Sequence, residues 1–336
     1  MILVTGGTGL VGANLLLHLT KSVREESIIA LYRTEKSKEK TFNLFKKNQK
    51  ESNFKTILWV QGDVLDVPSL EIAFHNIDFE YHCAALISFN PNDEEKLRKT
   101  NIEGTANIVN FCISKKIKKL CYVSSIAAIG DLAQNETIIS ETSEWNPEVA
   151  HTDYAISKYG AEMEIWRGYQ EGLEVVIVNP GVILGDSFWN QGSGTLFSKI
   201  KKGIPFYTNG STGYVAVIDV VSIMFQLMNS TVNGERFILI SENCTYKDIF
   251  DKISKRIKSK KPTIEAKPWL LNFACLIDAI SHFIFRTERR ITKITAQSLL
   301  NQDQYSADKV NQLLNHSFMK IEDCLDSITV DFLKNN

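Results

Sequence analysis

The 336-residue chain lacks four things, and each absence removes a class of function. Paired cysteines are missing: Cys83, Cys112, Cys121, Cys244, Cys275 and Cys324 are scattered, with no C-x-x-C among them. That spacing fits reduced thiols and excludes a zinc ribbon or a disulfide framework. The six histidines are equally dispersed, so no metal site is expected. An excess of one charge is missing. The 38 basic side chains stand against 39 acidic ones, without the basic stripe that a nucleic-acid partner requires. Finally, no apolar run reaches the roughly 20 residues of a membrane-spanning helix. The strongest candidate, residues 269–285, is shorter and carries Asn272, Asp278 and His282.

What is present is an alternating pattern. Met1-Ile2-Leu3-Val4 leads directly into a glycine-rich turn and leaves no room for a presequence, so the expected location is the cytoplasm. Short β-rich runs at 2–5, 28–32, 56–60, 79–83, 120–124 and 174–179 are separated by helical patterns at 10–20, 38–50, 93–115 and 152–171. Strands alternating with helices make βαβ units around a buried parallel sheet. Beyond residue 179 the texture changes. Residues 185–215, rich in Gly, Ser and Asn, read as long loops around a short helix. A helix near 220–228, a strand near 236–240 and a helix near 247–258 follow. The chain exceeds the ~250–300 residues that a single core fills. Two units are therefore expected, 1–180 and 181–336, with part of 213–245 packing back on the first.

Thr5-Gly6-Gly7-Thr8-Gly9-Leu10-Val11-Gly12 lies between the first strand and the first helix. Gly6 permits the sharp turn off the strand, Gly9 lets a pyrophosphate approach the backbone, and Gly12 lets the helix pack closely. The helix N-terminus then offers N–H groups and a positive dipole to the phosphates. Such a turn inside a βαβ unit is a dinucleotide-binding signature. The predicted fold is α/β: a doubly wound, parallel-sheet Rossmann domain with a smaller C-terminal α+β domain. Gly6, Thr8, Gly9, Leu10, Val11 and Gly12 are the expected phosphate contacts. An NAD site usually ends the second strand with an acid that binds the ribose hydroxyls. Here Tyr32 takes that place and Arg33 follows, which favours the 2′-phosphate of NADP(H), with NAD(H) the alternative. Lys36 and Lys38 read as the solvated start of the next helix.

The G-x-x-G-x-x-G spacing resembles that of the extended short-chain dehydrogenases/reductases, and further motifs resemble the same family. Tyr154-Ala-Ile-Ser-Lys158 is a Y-x-x-x-K at helical spacing, which puts both side chains on one face. A lysine ammonium near a phenol favours the phenolate, so Tyr154 could exchange a proton with a substrate oxygen. Lys158 would also hold the nicotinamide ribose. In Ser124-Ser125-Ile-Ala-Ala-Ile-Gly130 the resemblance marks Ser125 as the catalytic serine, with Ser124 the alternative. Asn101, in Asn101-Ile-Glu-Gly104-Thr105-Ala-Asn107, would either support a water-linked proton path to the lysine or brace its helix. Gly62-Asp63-Val64 resembles the segment whose acid holds the adenine amino group, although Asp63 also suits a turn. Cys83, Ala84 and Ala85 would lie along the cofactor, while His82 reads as a packed histidine. Asn179-Pro180-Gly181-Val182 resembles the segment that meets the nicotinamide amide. Tyr305-Ser-Ala-Asp308-Lys309, with the closing helix after it, resembles the family's C-terminal end.

The resemblance implies a reductase of a ketone or aldehyde, or the reverse alcohol dehydrogenase, closest to the dihydroflavonol reductase-like and hydroxysteroid dehydrogenase-like members. A nucleotide-sugar epimerase or dehydratase with retained NAD is the alternative, and a non-catalytic cofactor sensor is a third. The apolar segment 269–285 suits a bulky hydrophobic substrate. It is expected as a helix buried against the substrate domain, with peripheral membrane contact or a lid as alternatives. The resemblance also implies a homodimer through the helices predicted at 93–115 and 152–171.

Overall fold

The computed structural model describes residues 1–23, 28–132, 136–285 and 292–335. Six strands of its main sheet follow the predicted alternation: β1 (Ile2–Thr5), β2 (Ile28–Tyr32), β3 (Leu58–Gln61), β4 (Phe79–His82), β5 (Lys119–Val123) and β6 (Val175–Pro180). After β7 (Val182–Leu184), β8 (Phe206–Tyr207) and β9 (Ser211–Ala216), a seventh strand, β10 (Glu235–Leu239), returns to pair with β6. The order is β10-β6-β5-β4-β1-β2-β3, with every pair parallel. The chain thus winds outward in both directions from β1 and β4, and a crevice opens where the order reverses.

Side chains explain why the sheet is buried on both faces. Neighbouring residues of a strand point to opposite sides. Val4, Cys121, Val123, Val176 and Val178 enter one core, and Leu3, Leu120, Tyr122, Val175 and Ile177 enter the other. The first core is closed by helices Leu10–Ser22 and Val217–Met228, which pack on each other. The second is closed by helices Gly104–Ser114 and Asp153–Gln170. Thr152 caps the latter helix, its side chain accepting from the Ala155 N–H.

Several boundaries differ from the sequence expectation for identifiable reasons. The strand expected at 56–60 starts two residues later because a short helix, Glu51–Thr56, consumes its beginning. The helix expected at 93–115 is interrupted by a π-helical segment, Arg98–Glu103. The short helix expected within 185–215 is Gly194–Lys201, but the supposed loops around it also hold strand β8 and most of β9. Strand β9 was hidden by its glycine. A Cβ on Gly213 would sit 2.3 Å from Ile240, so the strand passes there only with no side chain. It pairs with β7 and with β11 (Glu242–Thr245), over a core of Trp189, Phe197 and Phe332. A two-residue strand β12 (Ile264–Glu265) pairs with β8.

The apolar segment forms the helix Pro268–Phe285, opened by a proline whose missing N–H costs nothing at a helix start. The expectation that it is buried holds for one face only. Leu271 and Cys275 pack on Ala266 and Ala296. Trp269, Phe273, Leu276 and Ile277 are exposed, Trp269 by 67%. Among the described residues, no helix is long and apolar enough to cross a membrane.

Because β10 closes the edge of the sheet with Phe237 fully packed in the first core, it should be structurally indispensable. Phe237→Ala is expected to cost about 3–5 kcal/mol, read as a lower thermal unfolding midpoint. A loss below about 1 kcal/mol would show that the edge strand contributes little.

Candidate active site

The glycine turn is built by close approach. Gly6 has a φ of +69°, and a Cβ there would meet the Cys83 carbonyl and the Ala84 N–H within 2.7 Å. A Cβ on Gly12 would lie 2.3 Å from the Gly6 oxygen, so the helix start sits directly on the turn. Gly9 differs: its absent Cβ would meet one protein atom, the Gly6 oxygen, at 3.4 Å. The space in front of Gly9 is therefore not filled by the fold, and helix Leu10–Ser22 begins without a side-chain cap. Backbone N–H groups left in this way suit an anion. The cradle fits a dinucleotide pyrophosphate, with Thr8, Leu10 and Val11 at its rim.

At the end of β2 the Tyr32 hydroxyl donates to Glu35 at 2.5 Å. Lys38 pairs with Glu35 at 2.8 Å and lies 4.2 Å over the Tyr32 ring, so it belongs to the helix start. Arg33 extends freely into solvent, its guanidinium 4.0 Å from Asp63. Asp63 itself accepts from the Leu65 N–H at 3.0 Å, the geometry of a turn residue. Val64 is buried against Gly104, and its carbonyl accepts from Asn107. Glu35 is an acid that the sequence reading did not weigh; it is four residues beyond Leu31 and hidden by the change from strand to helix.

Past β4, His82 is sandwiched between the Thr5 hydroxyl at 2.7 Å and the Thr105 hydroxyl at 3.0 Å. Burial, reinforced by the Lys158 charge, lowers its pKa to about 3, so it is a neutral packed histidine. Burial also pushes the Cys83 thiol well up. Asn101 lies on the π-helical segment, a distortion often found at functional sites. Its carboxamide pairs with both the N–H and C=O of Leu86, at 2.7 and 3.0 Å, and donates to Ser157 at 2.9 Å. These bonds brace the loop after β4 against the helix that carries Tyr154.

Tyr154 and Ser125 lie side by side, close enough for the serine to draw the phenol's pKa down. Ser125 also caps a short 3₁₀ turn, its Oγ accepting from the Ala127 N–H. Ser124, one residue earlier, faces away from Tyr154 and donates to Glu162 at 2.7 Å. Lys158 is buried, and its ammonium donates to the Tyr122 hydroxyl and the Val123 carbonyl, both at 2.8 Å. An ammonium has three donors, so one is left over. Burial outweighs the attraction of Glu162 and lowers the Lys158 pKa to about 7. Burial likewise keeps the Tyr154 phenol above its usual value, against the opposing pull of the nearby Ser125. Lys158, expected to lower the tyrosine's pKa, has Tyr122 as its hydrogen-bond partner instead, which motif spacing does not reveal.

Glu162 is a second group that the motifs missed, although it falls four residues after Lys158 on the same helix. It is fully buried and receives three groups: Ser124, the Asn179 amide at 2.8 Å and Arg236 at 3.1 Å. Asn179 in turn donates to the Ser125 carbonyl at 3.0 Å. Gly181, expected as a nicotinamide contact, is also required to be a glycine by packing. A Cβ there would lie 2.3 Å from the Gly213 oxygen, so β9 sets that residue. Pro180 ends β6, and Val182 opens β7 opposite Tyr214.

The family model described as male sterility protein matches residues 4–204. A Synechocystis protein named as a dihydroflavonol 4-reductase is 30% identical over 81% of this chain and 77% of its own length. The chain is an extended short-chain dehydrogenase/reductase. Sterol demethylase protein B of Methylococcus capsulatus is 26% identical over 85% of this chain and 84% of that protein. In fold, a UDP-glucose 4-epimerase from Thermotoga maritima superposes with a TM-score of 0.77 at 19% identity, covering 99% of both chains. Membership makes this an NAD(P)-dependent oxidoreductase acting on a CH–OH or C=O group.

The Glu162–Arg236 pair is expected to be worth more intact than broken. Removing one partner of a buried ion pair leaves the other uncompensated. Glu162→Gln should therefore lower stability by about 3 kcal/mol, measurable by denaturant unfolding. An unchanged midpoint would mean that Arg236 is already satisfied by the Glu141 and Ser143 carbonyls that it also contacts.

Proposed function

We propose that the protein reduces a ketone or aldehyde on an apolar small molecule with NADPH, or runs the reverse oxidation, with Tyr154 handling the proton. The observation that carries this reading is the placement of Tyr154 next to Ser125 and above the buried Lys158, whose ammonium is fixed by Tyr122 and the Val123 carbonyl. When bound, the nicotinamide supplies or accepts the hydride at the substrate carbon. Ser125 holds and polarises the substrate oxygen. Tyr154, a phenol at neutral pH, gives that oxygen its proton. Lys158 stabilises the resulting negative charge through Tyr122 and orients the ribose with its remaining N–H. Phe89, 55% exposed, leans on the Tyr154 ring with centroids 5.5 Å apart, which supports an apolar wall at the reacting group. The exposed Arg33 supports the choice of NADPH, since a guanidinium pairs with a 2′-phosphate through two hydrogen bonds. The same reading includes a cytoplasmic homodimer through the helices Gly104–Ser114 and Asp153–Gln170.

Cofactor comes first. NADPH should bind at least tenfold more tightly than NADH, about 1.4 kcal/mol, and Arg33→Ala should remove that preference while sparing NADH. Copurified NAD with no NADPH preference would instead favour an epimerase or dehydratase. Tyr154→Phe should retain NADPH and lose about 10²–10⁴ in turnover; undiminished turnover would remove Tyr154 from the mechanism.

The pH dependence has a definite sign. Lys158 is charged below its pKa of about 7 and loses that charge as pH rises, while Tyr154 stays protonated. Reduction should be fastest on the acid side. It should fall about tenfold per pH unit above the apparent pKa of the coupled pair. A rate flat from about pH 6 to about pH 9 would dismiss the lysine's charge as a contributor.

A further inference from the structure

We propose that the helix Pro268–Phe285 docks this protein on an anionic lipid bilayer, lying in the interface with Trp269 and Phe273 among the acyl chains. The proposal does not depend on the identity of the substrate. It starts from a helix with two apolar faces, of which the fold uses one. Leu271 and Cys275 are packed inward. Trp269, Phe273, Leu276 and Ile277, at helical spacings of four, seven and eight, are 67, 54, 56 and 49% exposed. Ile264 and Phe206, register partners on the small β12–β8 sheet that leads into the helix, are exposed as well. Scattered exposed apolar residues are ordinary, but a contiguous stripe marks an interaction surface.

Charge identifies the partner. The whole chain has a formal net charge of −1, yet residues 255–267 hold Lys255, Arg256, Lys258, Lys260, Lys261 and Lys267 against the single acid Glu265. Five of these cations, all but Arg256, are exposed. Arg256 is engaged by Asp326 and Glu322, and Lys261 lies 3.6 Å from Asp251. In the sequence, Arg286, Arg289 and Arg290 follow the helix with Glu288. A second copy of the chain meeting this face across a two-fold axis would bring two lysine clusters together. An anionic membrane surface is complementary to the same cluster, and basic side chains beside an amphipathic helix are a recurring lipid-binding arrangement. Among the described residues no helix is long and apolar enough to cross a bilayer, and a helix with one apolar stripe exposed and the other packed on the fold suits an in-plane position. Neither signal alone gives firm attachment; together they reinforce one another.

The test is flotation of the full chain with vesicles of phosphatidylcholine alone or with about one-third phosphatidylserine. The wild-type protein should float with the anionic vesicles, stay behind with the neutral ones, and be released by added salt. Trp269→Ser with Phe273→Ser should reduce binding about tenfold or more. The triple change Lys258→Gln, Lys260→Gln, Lys261→Gln should reduce it about tenfold or more as well. These lysines are on the surface, so the triple variant tests the proposal even if the apolar variant fails to fold, which thermal unfolding would reveal. Absence of wild-type flotation with anionic vesicles would overturn the proposal. So would equal flotation of a folded apolar variant. A wild-type dimer that the apolar changes convert to monomer, with no flotation by either, would assign the face to a second copy instead.

Discussion

The site depends on one buried carboxylate. Glu162 is enclosed where four segments meet: its own helix, the end of β5 through Ser124, the end of β6 through Asn179, and β10 through Arg236. A lone carboxylate cannot be taken out of water at reasonable cost, so its partners must be in place for the fold to exist. Asn179 passes the constraint to the Ser125 carbonyl, and Arg236 passes it to the carbonyls of Glu141 and Ser143. The strand that bears the serine and the helix that bears the tyrosine are thereby tied together behind the reacting groups. Alignment of Ser125 with Tyr154 is thus a consequence of polar satisfaction in the core, and loop conformation has little say in it.

In front of that clasp, burial sets the proton chemistry. The same desolvation lowers Lys158 and raises Tyr154, moving a cation toward neutrality and holding a phenol in its acid form. The raised phenol therefore starts protonated near neutral pH, the form from which it can donate. Tyr122 accepts from the ammonium and stacks on His82, which Thr5 and Thr105 hold in turn. The polar groups beneath the tyrosine therefore form one packed cluster.

How much of this was legible follows from what each feature requires. The sheet could be read because strands buried on both faces need unbroken apolar runs, as β5 and β6 have. The glycine turn could be read because its residues are imposed by backbone approaching backbone at Gly6 and Gly12. Ser125, Tyr154 and Lys158 could be paired because helical spacing and strand ends fix where side chains emerge. Glu162 and Tyr122 could not, since their partners come from β10 and from a helix 36 residues away. Strand β9 was obscured by Gly213, whose role is tertiary, and the helix 269–285 was misjudged because composition does not say which apolar face finds a partner. Local rules report what a residue can do, whereas these cases turned on which distant segment arrives beside it.

This division also separates the parts of the function by how firmly the fold holds them. The glycine turn is main chain under steric compulsion, and the segments that carry Ser125 and Tyr154 are tied by the buried network around Glu162. Arg33 is held by almost nothing: one carboxylate at 4.0 Å and a carbonyl that accepts from Gln61. Phe89 is similarly unconstrained on its outer side. Surface side chains of this kind exchange at a cost near zero, so both positions can change without disturbing the clasp. That a dihydroflavonol 4-reductase-named protein and a UDP-glucose 4-epimerase share this architecture is what such a partition of rigid chemistry and replaceable recognition would produce.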